Sequence, residues 1–96
     1  MIVNQTGVFR NWFDKIHDEI AKAAISRRIE AIEQYGNFGD AKPVGEGVRE
    51  LRINYGPGYR LYYTVRGREV IILLCGGDKS SQQRDIEKAK KLNKEV

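Results

Sequence analysis

Residues 48–65 read VRELRINYGPGYRLYYTV, and apolar side chains alternate with polar ones on both sides of the Gly-Pro-Gly turn. Alternation with a period of two places successive side chains on opposite faces of a β-strand. Gly and Pro at the centre favour a tight reversal of the chain. We therefore predict an antiparallel hairpin of two strands, Val48–Tyr55 and Tyr59–Val65. The apolar side chains predicted to share one face are Leu51, Ile53, Leu61, Tyr63 and Val65.

A second turn, Arg66-Gly67-Arg68, leads into the run VIILLC at residues 70–75. Every position of this run is apolar, which is typical of a strand buried on both faces inside a sheet. We interpret Cys75, at the end of the run, as a small core residue. Near the start of the chain, Ile2–Gln5 is a weaker candidate for a further strand.

The first third of the chain predicts two helices. Neither Gly nor Pro occurs from Val8 to Tyr35, and apolar residues recur at steps of three and four, as on one helix face. The phase slips by one position within Ile20–Ile25. We therefore predict two antiparallel helices joined near His17 and Asp18, with Thr6 and Asp18 as N-caps. A single long, bent helix is the alternative.

A last helix follows residue 77. Ser80 and Gln83 have the spacing of a capping box, and three apolar residues downstream share a helical face. The predicted fold class is α+β, with the helices packed on one face of a small antiparallel sheet of three or four strands and the other face open. The 96 residues suit a single domain, 1–96, and exclude a two-domain enzyme. The apolar residues of the last helix are Ile86, Ala89 and Leu92.

The composition is that of a folded, basic protein. Lys and Arg total 17 against 13 Asp and Glu, so the formal charge is +4, and 41% of the residues are hydrophobic. This balance favours a polyanionic partner. One cysteine and one histidine exclude an internal disulfide and a zinc site, so we expect a reducing cytoplasm. The longest apolar run is far shorter than the ~20 residues that cross a bilayer, and no export signal is recognisable, so we expect a soluble protein.

Positive charge is concentrated in residues 41–68, which contain six Lys and Arg residues but only two acidic residues. Arg52 and Arg60 fall opposite the apolar face of the hairpin. We therefore expect them to project from the open face of the sheet, together with Glu50 and Tyr62. Cations with an interleaved aromatic ring suit RNA, because guanidinium groups pair with phosphate and the ring stacks on an unpaired base. The alternative is a solvated sheet face with cross-strand ion pairs such as Glu50 with Arg60.

The segment GGDKS at residues 76–80 separates the apolar strand from the last helix. Its backbone amides suit an anion-binding nest, and a plain strand-to-helix turn suits the sequence equally well. The segment is not a P-loop. Asp78 follows Gly77 where that motif has Lys, and Ile72 stands where its first Gly belongs.

Four segments together closely resemble the addiction-module killer proteins, which are HigB-like members of the RelE/ParE toxin superfamily. The segments are GDAKPVG at 39–45, VRELRI at 48–53, GPGYRLYY at 56–63 and LCGGDKSSQ at 74–82. The resemblance covers nearly the whole chain, and its specific part runs from Arg49 to Gln82.

The resemblance implies a RelE-like fold and the toxin of a type II toxin–antitoxin system, neutralised by a cognate antitoxin with a helix-turn-helix domain. RelE-like members enter the ribosome and cut mRNA, using the substrate's own 2′-OH as nucleophile and no metal or cofactor, and so inhibit translation. ParE-like relatives inhibit DNA gyrase with the same scaffold, which makes a non-enzymatic gyrase inhibitor the second hypothesis. A basic nucleic-acid-binding domain without toxic activity is the third.

The resemblance also assigns residues. Arg60 corresponds to the arginine that contacts the scissile phosphate. Asp78 and Lys79 lie where other RelE-like enzymes place a His, Tyr or Arg for proton transfer, so this chain departs from the histidine versions. Lys79 is then a source of charge or the acid, and the base is Asp78 or Glu50.

Lys42 and Arg52 match basic positions that bind the RNA backbone. An RNA-cleaving site requires these two side chains to cluster with Arg60 and Lys79 on one concave face, and a gyrase inhibitor does not. The predicted catalytic residues are Arg60, Lys79, Asp78 and Glu50. The predicted RNA-binding residues are Lys42, Arg49, Arg52, Tyr62 and Gln82.

Overall fold

A computed structural model describes residues 1–96 and contains five strands, three α-helices and one 3-10 turn. Strand β1 (Ile2–Gln5) is followed by helices α1 (Gly7–Asp14) and α2 (Glu19–Tyr35). Strands β2 (Ala41–Gly45), β3 (Val48–Ile53), β4 (Tyr59–Arg66) and β5 (Val70–Gly77) come next. A 3-10 turn at Lys79–Ser81 then leads into helix α3 (Gln82–Glu95).

The strands form one five-stranded sheet in the order β1-β5-β4-β3-β2. Neighbours are antiparallel except β1 and β5, which are parallel with Ile2 opposite Val70. The predicted hairpin is therefore confirmed as β3 and β4, and β5 is an internal strand. The prediction of three or four antiparallel strands was wrong, because β1 adds a parallel edge and β2, which contains Pro43, adds the opposite edge.

Two separate helices are present, as the slip in helical phase predicted. Thr6 Oγ1 accepts a hydrogen bond from the backbone N–H of Phe9 at 3.0 Å and caps α1. Asp18 Oδ1 accepts from two N–H groups of the first turn of α2. Helix α2 ends at Tyr35, and its C-cap is Gly36, whose φ of +62° suits glycine. Both predicted N-caps are confirmed.

The sheet is covered on both faces. Helices α1 and α2 supply Phe9, Ile25 and Ile32 to a core on one face, with strand residues such as Leu51. On the other face, Ala89 of α3 packs in a second cluster with Val48, Tyr62, Leu74 and Cys75. The prediction of one open face was therefore wrong. Strand β5 is apolar on both sides, and each side requires a covering layer to remove it from water.

The start of α3 also differs from the prediction. Asp78 caps the 3-10 turn by accepting a hydrogen bond from the N–H of Ser80 at 2.8 Å. Helix α3 begins only at Gln82, and the Ser81 side chain at its N-cap bonds no helical N–H. The capping box predicted from Ser80 and Gln83 was wrong, because Asp78 accepts the hydrogen bond of the Ser80 N–H and a 3-10 turn forms before the helix.

No helix is long and apolar enough to cross a membrane. No three His, Cys, Asp or Glu side chains are grouped in a way that holds a metal ion.

Candidate functional site

A buried carboxylate lies at the centre of the face that α3 covers. Glu50 of β3 is 0% exposed. Its Oε2 accepts a hydrogen bond from Tyr62 Oη at 3.1 Å and another from Gln82 Nε2 at 2.9 Å. Tyr62 is the direct cross-strand partner of Glu50 on β4, and Gln82 is the first residue of α3. Three elements therefore meet at one oxygen atom.

Arg60 lies beside this carboxylate. Its Nε is 3.8 Å from Glu50 Oε2, and its Nη1 donates a hydrogen bond to the carbonyl of Gly58 at 2.6 Å. The arginine side chain is only 11% exposed. Its Nη2 donates no hydrogen bond within the chain and is not among the buried unpaired atoms, so this atom keeps contact with solvent.

Because Glu50 and Arg60 are buried, their charges strongly affect the stability of the site. The buried side-chain atoms that lack a hydrogen-bond partner are Glu50 Oε1, Arg52 Nε and Arg60 Nε. A buried carboxylate is costly without a nearby cation and hydrogen-bond donors. Arg60 supplies the cation, and Tyr62 and Gln82 supply the donors. Burial, followed by the charge of Glu50, raises the pKa of the Tyr62 phenol, so this donor stays neutral at physiological pH.

Two further cations lie on the same sheet face. Arg52 is the direct cross-strand partner of Arg60, and Lys42 of β2 is the partner of Glu50. The Nη2 atom of Arg52 binds Asp40 Oδ1 at 3.0 Å, and this hydrogen bond raises the pKa of the guanidinium. Lys42 is exposed and has no ion-pair partner. At this rim of the site, Asp40 therefore neutralises the charge of Arg52, whereas Lys42 is a free cation.

Asp78 and Lys79 form the opposite rim, directly after β5. Hydrogen bonds from Ser80, with Arg60 as the weakest contributor, hold the pKa of the Asp78 carboxyl below its usual range. Lys79 is exposed. A methyl group placed on Gly58 would lie 3.0 Å from Arg60 Nη1 and 3.5 Å from Lys79 Cβ, so both cationic residues flank this glycine.

The structure thus brings most of the predicted residues to one place but corrects three of them. Glu50 and Tyr62 are fully buried, not projecting into solvent, because α3 packs over them. Arg49 lies on the opposite face, where its Nε donates to Tyr63 Oη at 3.3 Å. The predicted ion pair between Glu50 and Arg60 is present, but inside the protein and not on a solvated face.

Asp85 of α3 is a residue that the sequence reasoning missed. It is 8% exposed, and its Oδ2 accepts a hydrogen bond from Ser81 Oγ. It packs over Gly77, which is the cross-strand partner of Arg60. The signal was available, since Asp85 precedes the buried Ala89 by four residues and therefore lies on the buried side of α3.

A cavity of roughly 320 Å³ lies between α1 and α3, next to the site. Its walls include Trp12, Gly76 and Gly77, with Arg84 and Lys88 contributed by α3. Trp12 packs so closely on Gly76 that a Cβ there would lie 2.3 Å from the indole ring. The two glycines therefore allow α1 and α3 to approach the end of β5.

The amino-acid sequence is similar to a protein family and to a bacterial relative. Residues 11–94 match the family model described as phage-derived protein Gp49-like. The chain is 47% identical over 94 residues to an uncharacterized protein of Haemophilus influenzae, covering 98% of this chain and 94% of that protein.

Two solved structures have a similar fold. A chain of the intact E. coli RelBE toxin–antitoxin complex has a TM-score of 0.67 at 14% identity, covering 80% of this chain and 94% of that chain. The conserved hypothetical protein HP0894 from Helicobacter pylori has a TM-score of 0.56 at 22% identity, covering 83% and 96%. At these identities the likeness concerns the fold.

Proposed function

The chain belongs to the family of phage-derived Gp49-like proteins, and from this premise we propose that it is the toxin of a type II toxin–antitoxin pair. The RelE-like fold supports this proposal, since the similar E. coli chain comes from a toxin–antitoxin complex. Within the RelE/ParE superfamily we assign the chain to the HigB-like toxins. Its activity is then ribosome-dependent cleavage of mRNA in the cytoplasm, which inhibits translation.

One observation carries the choice of RNA cleavage. A single guanidinium, that of Arg60, is held by Glu50 and Gly58 while its Nη2 faces solvent. Cleavage of RNA requires fixed positive charge where the phosphate gains negative charge in the transition state. Lys79 and Lys42 add exposed positive charge on either side. A protein that only blocks another surface does not require an arginine held in this way.

The reaction uses groups of the RNA itself. The ribose 2′-oxygen attacks the adjacent phosphorus and passes its proton to solvent water, the bond from phosphorus to the 5′-oxygen breaks, and that oxygen takes up a proton from Lys79 or from water. The products are a 2′,3′-cyclic phosphate and a free 5′-hydroxyl. In this scheme Arg60 Nη2 binds a non-bridging phosphate oxygen, and Lys79 stabilises charge on the leaving oxygen or protonates it.

The two carboxylates predicted as alternatives for the base are engaged inside the protein. Asp78 Oδ1 accepts hydrogen bonds from the N–H and hydroxyl of Ser80, and its lowered pKa makes it a weak base. Glu50 is enclosed by β3, β4 and α3. We therefore assign Asp78 to fixing the loop that carries Lys79.

Induction of the gene in bacteria, followed by primer-extension mapping of mRNA, tests this function. We expect cuts in translated mRNA with wild type and with Arg68→Ala, which alters an exposed arginine whose side chain forms no hydrogen bond or ion pair. Arg60→Ala removes one electrostatic contact to the transition state and should slow cleavage about 10²–10³-fold. Double-strand breaks in DNA without mRNA cuts would instead support a gyrase inhibitor.

The proposed partner is an antitoxin with a helix-turn-helix domain and an acidic segment that covers the basic rim around Lys42 and Lys79. Co-expression with the adjacent open reading frame should restore growth and give a stable complex on size exclusion. Growth that is normal without any partner, at high expression of this chain, would argue for the third hypothesis, a nucleic-acid-binding domain.

A further inference from the structure

Glu50 is the most deeply buried charged residue of the site, and the contacts around it define its role. We propose that Glu50 is a positioning residue that fixes the Arg60 guanidinium, with Gln82 and Tyr62 holding the carboxylate in turn, and that it takes no proton from the substrate. This inference rests on the proposed function, since it concerns the arginine that binds the scissile phosphate.

Access to solvent separates positioning from proton transfer. A general base must come within about 3 Å of the hydroxyl proton that it removes. Glu50 is 0% exposed, so neither oxygen reaches the surface where an RNA chain lies. Its Oε2 already accepts two hydrogen bonds, from Tyr62 and from Gln82. A ribose hydroxyl therefore reaches this carboxylate only if the side chains that enclose it move away.

The contacts of Arg60 restrict its guanidinium to one orientation. Nη1 donates to the Gly58 carbonyl at 2.6 Å, and Nε faces Glu50 Oε2 at 3.8 Å. Nε forms no hydrogen bond, so the Nη1 bond and the charge attraction between Nε and Glu50 together restrain the planar guanidinium. Nη2 is the nitrogen left available for a substrate phosphate, because it donates no hydrogen bond within the chain and is not among the buried unpaired atoms. Such preorganisation removes the cost of ordering a long, flexible side chain during the reaction.

Gln82 and Tyr62 hold the Glu50 carboxylate in place without neutralising its charge. Both are neutral donors, and the pKa of the Tyr62 phenol is raised, so neither cancels the attraction between Glu50 and Arg60. Tyr62 comes from β4 and Gln82 from the first turn of α3. The direction of Arg60 therefore depends on α3 being docked on the sheet.

Cleavage kinetics in a reconstituted translation system test the proposal with wild type, Glu50→Gln, Gln82→Ala and the matched control Gln83→Ala. Gln83 is the exposed neighbour of Gln82 and makes no side-chain hydrogen bond. We expect kcat to fall about 10²-fold in Glu50→Gln and by less in Gln82→Ala, with KM near the wild-type value. Any acidic limb in the wild-type pH–rate profile should remain in Glu50→Gln, because no base is removed.

Loss of that acidic limb in Glu50→Gln would identify Glu50 as the base and overturn the proposal. Wild-type kcat in both Glu50→Gln and Gln82→Ala would overturn it as well. If Glu50→Gln does not fold, Gln82→Ala decides, since it alters a half-buried side chain at a helix start. Near-ultraviolet circular dichroism identifies the folded variants.

The Nε–H signal of Arg60 in 1H–15N NMR spectra gives a readout that does not depend on activity. We expect it to be protected from exchange in wild type and to shift and lose protection in Glu50→Gln and Gln82→Ala but not in Gln83→Ala. An Arg60 signal unchanged by Glu50→Gln would refute the positioning role. Absence of cleavage by wild type would instead refute the proposed function, and this NMR comparison would still decide the positioning role.

Discussion

Gly77→Ala should destabilise the protein strongly, for a reason that is entirely steric. A Cβ on Gly77 would lie 1.8 Å from Oδ2 and 2.8 Å from Cγ of Asp85. Ordinary contact needs more than 3.4 Å, so the carboxylate must move by more than an ångström. Asp85 is only 8% exposed and is bonded to Ser81, so this movement also costs a hydrogen bond.

Overpacking typically costs about 1–3 kcal/mol, and loss of a hydrogen bond to a charged group costs about 1.5–3 kcal/mol. We therefore expect a loss of ~3 kcal/mol, a large part of the ~5–15 kcal/mol that stabilises a domain. At roughly 4–8 °C per kcal/mol for a chain of this size, Tm should fall by about 12–24 °C.

Urea and thermal unfolding followed by circular dichroism measure this loss. Ser81→Ala removes the hydrogen bond without the collision and should cost less than Gly77→Ala. Gly7→Ala is the matched control, because nothing lies within 4 Å of its added methyl group and the site is at the start of a helix. A Gly77→Ala variant within about 0.5 kcal/mol of wild type would refute the steric reasoning.

Three further predictions concern charge and reactivity. Lys42→Gln should weaken binding to RNA and reduce the slope of log K against log salt by about 0.7–0.9. The control Lys94→Gln removes a cation paired with Glu46 at 3.8 Å and should change the slope less. Equal slopes for the two variants would contradict a role for Lys42. Burial raises the pKa of the Cys75 thiol to about 12, so alkylation of this thiol at pH 8 should proceed only as fast as the protein unfolds. Rapid labelling of the folded protein would argue against this burial. Hydrogen bonds from the Ala21 amide and from Tyr55 lower the pKa of Asp18 below its ordinary value of 3.8. The stabilising effect of Asp18 is therefore complete above pH 3.8 and is lost as the pH falls through the lowered pKa. The difference in Tm between wild type and Asp18→Ala should shrink in acid, and a difference that grows in acid would contradict this direction of the pKa shift.

Local structure was predictable because its signals are local. Alternating side chains around the Gly-Pro-Gly turn defined the hairpin, and the side chains of Thr6 and Asp18 marked helix starts that the structure contains. Strand β2 was missed, since Pro43 and the neighbouring glycine obscure its alternation. The parallel pairing of β1 with β5 joins segments more than sixty residues apart, and no short-range pattern encodes such a pairing.

The candidate site was predictable in membership but not in arrangement. The alternation of β3 assigns Glu50 to the polar side of the strand, which is correct, but it does not reveal that α3 covers that side. The apolar character of both faces of β5 was the available clue to a second covering layer. Which side chains bond Glu50 depends on the docking of α3, and the fold sets that docking. Arg49 is two residues from Leu51, so the same alternation places it on the face opposite Glu50, where it bonds Tyr63.

The position of Gln82 in α3 has a consequence during synthesis of the protein on the ribosome. Strand β1 leaves the ribosome early but has no partner until β5 emerges, and α3 emerges after every strand of the sheet. A nascent chain therefore carries Arg60 long before Gln82 arrives to help orient it, and the arrangement around Glu50 forms only when translation of its own message has passed the start of α3.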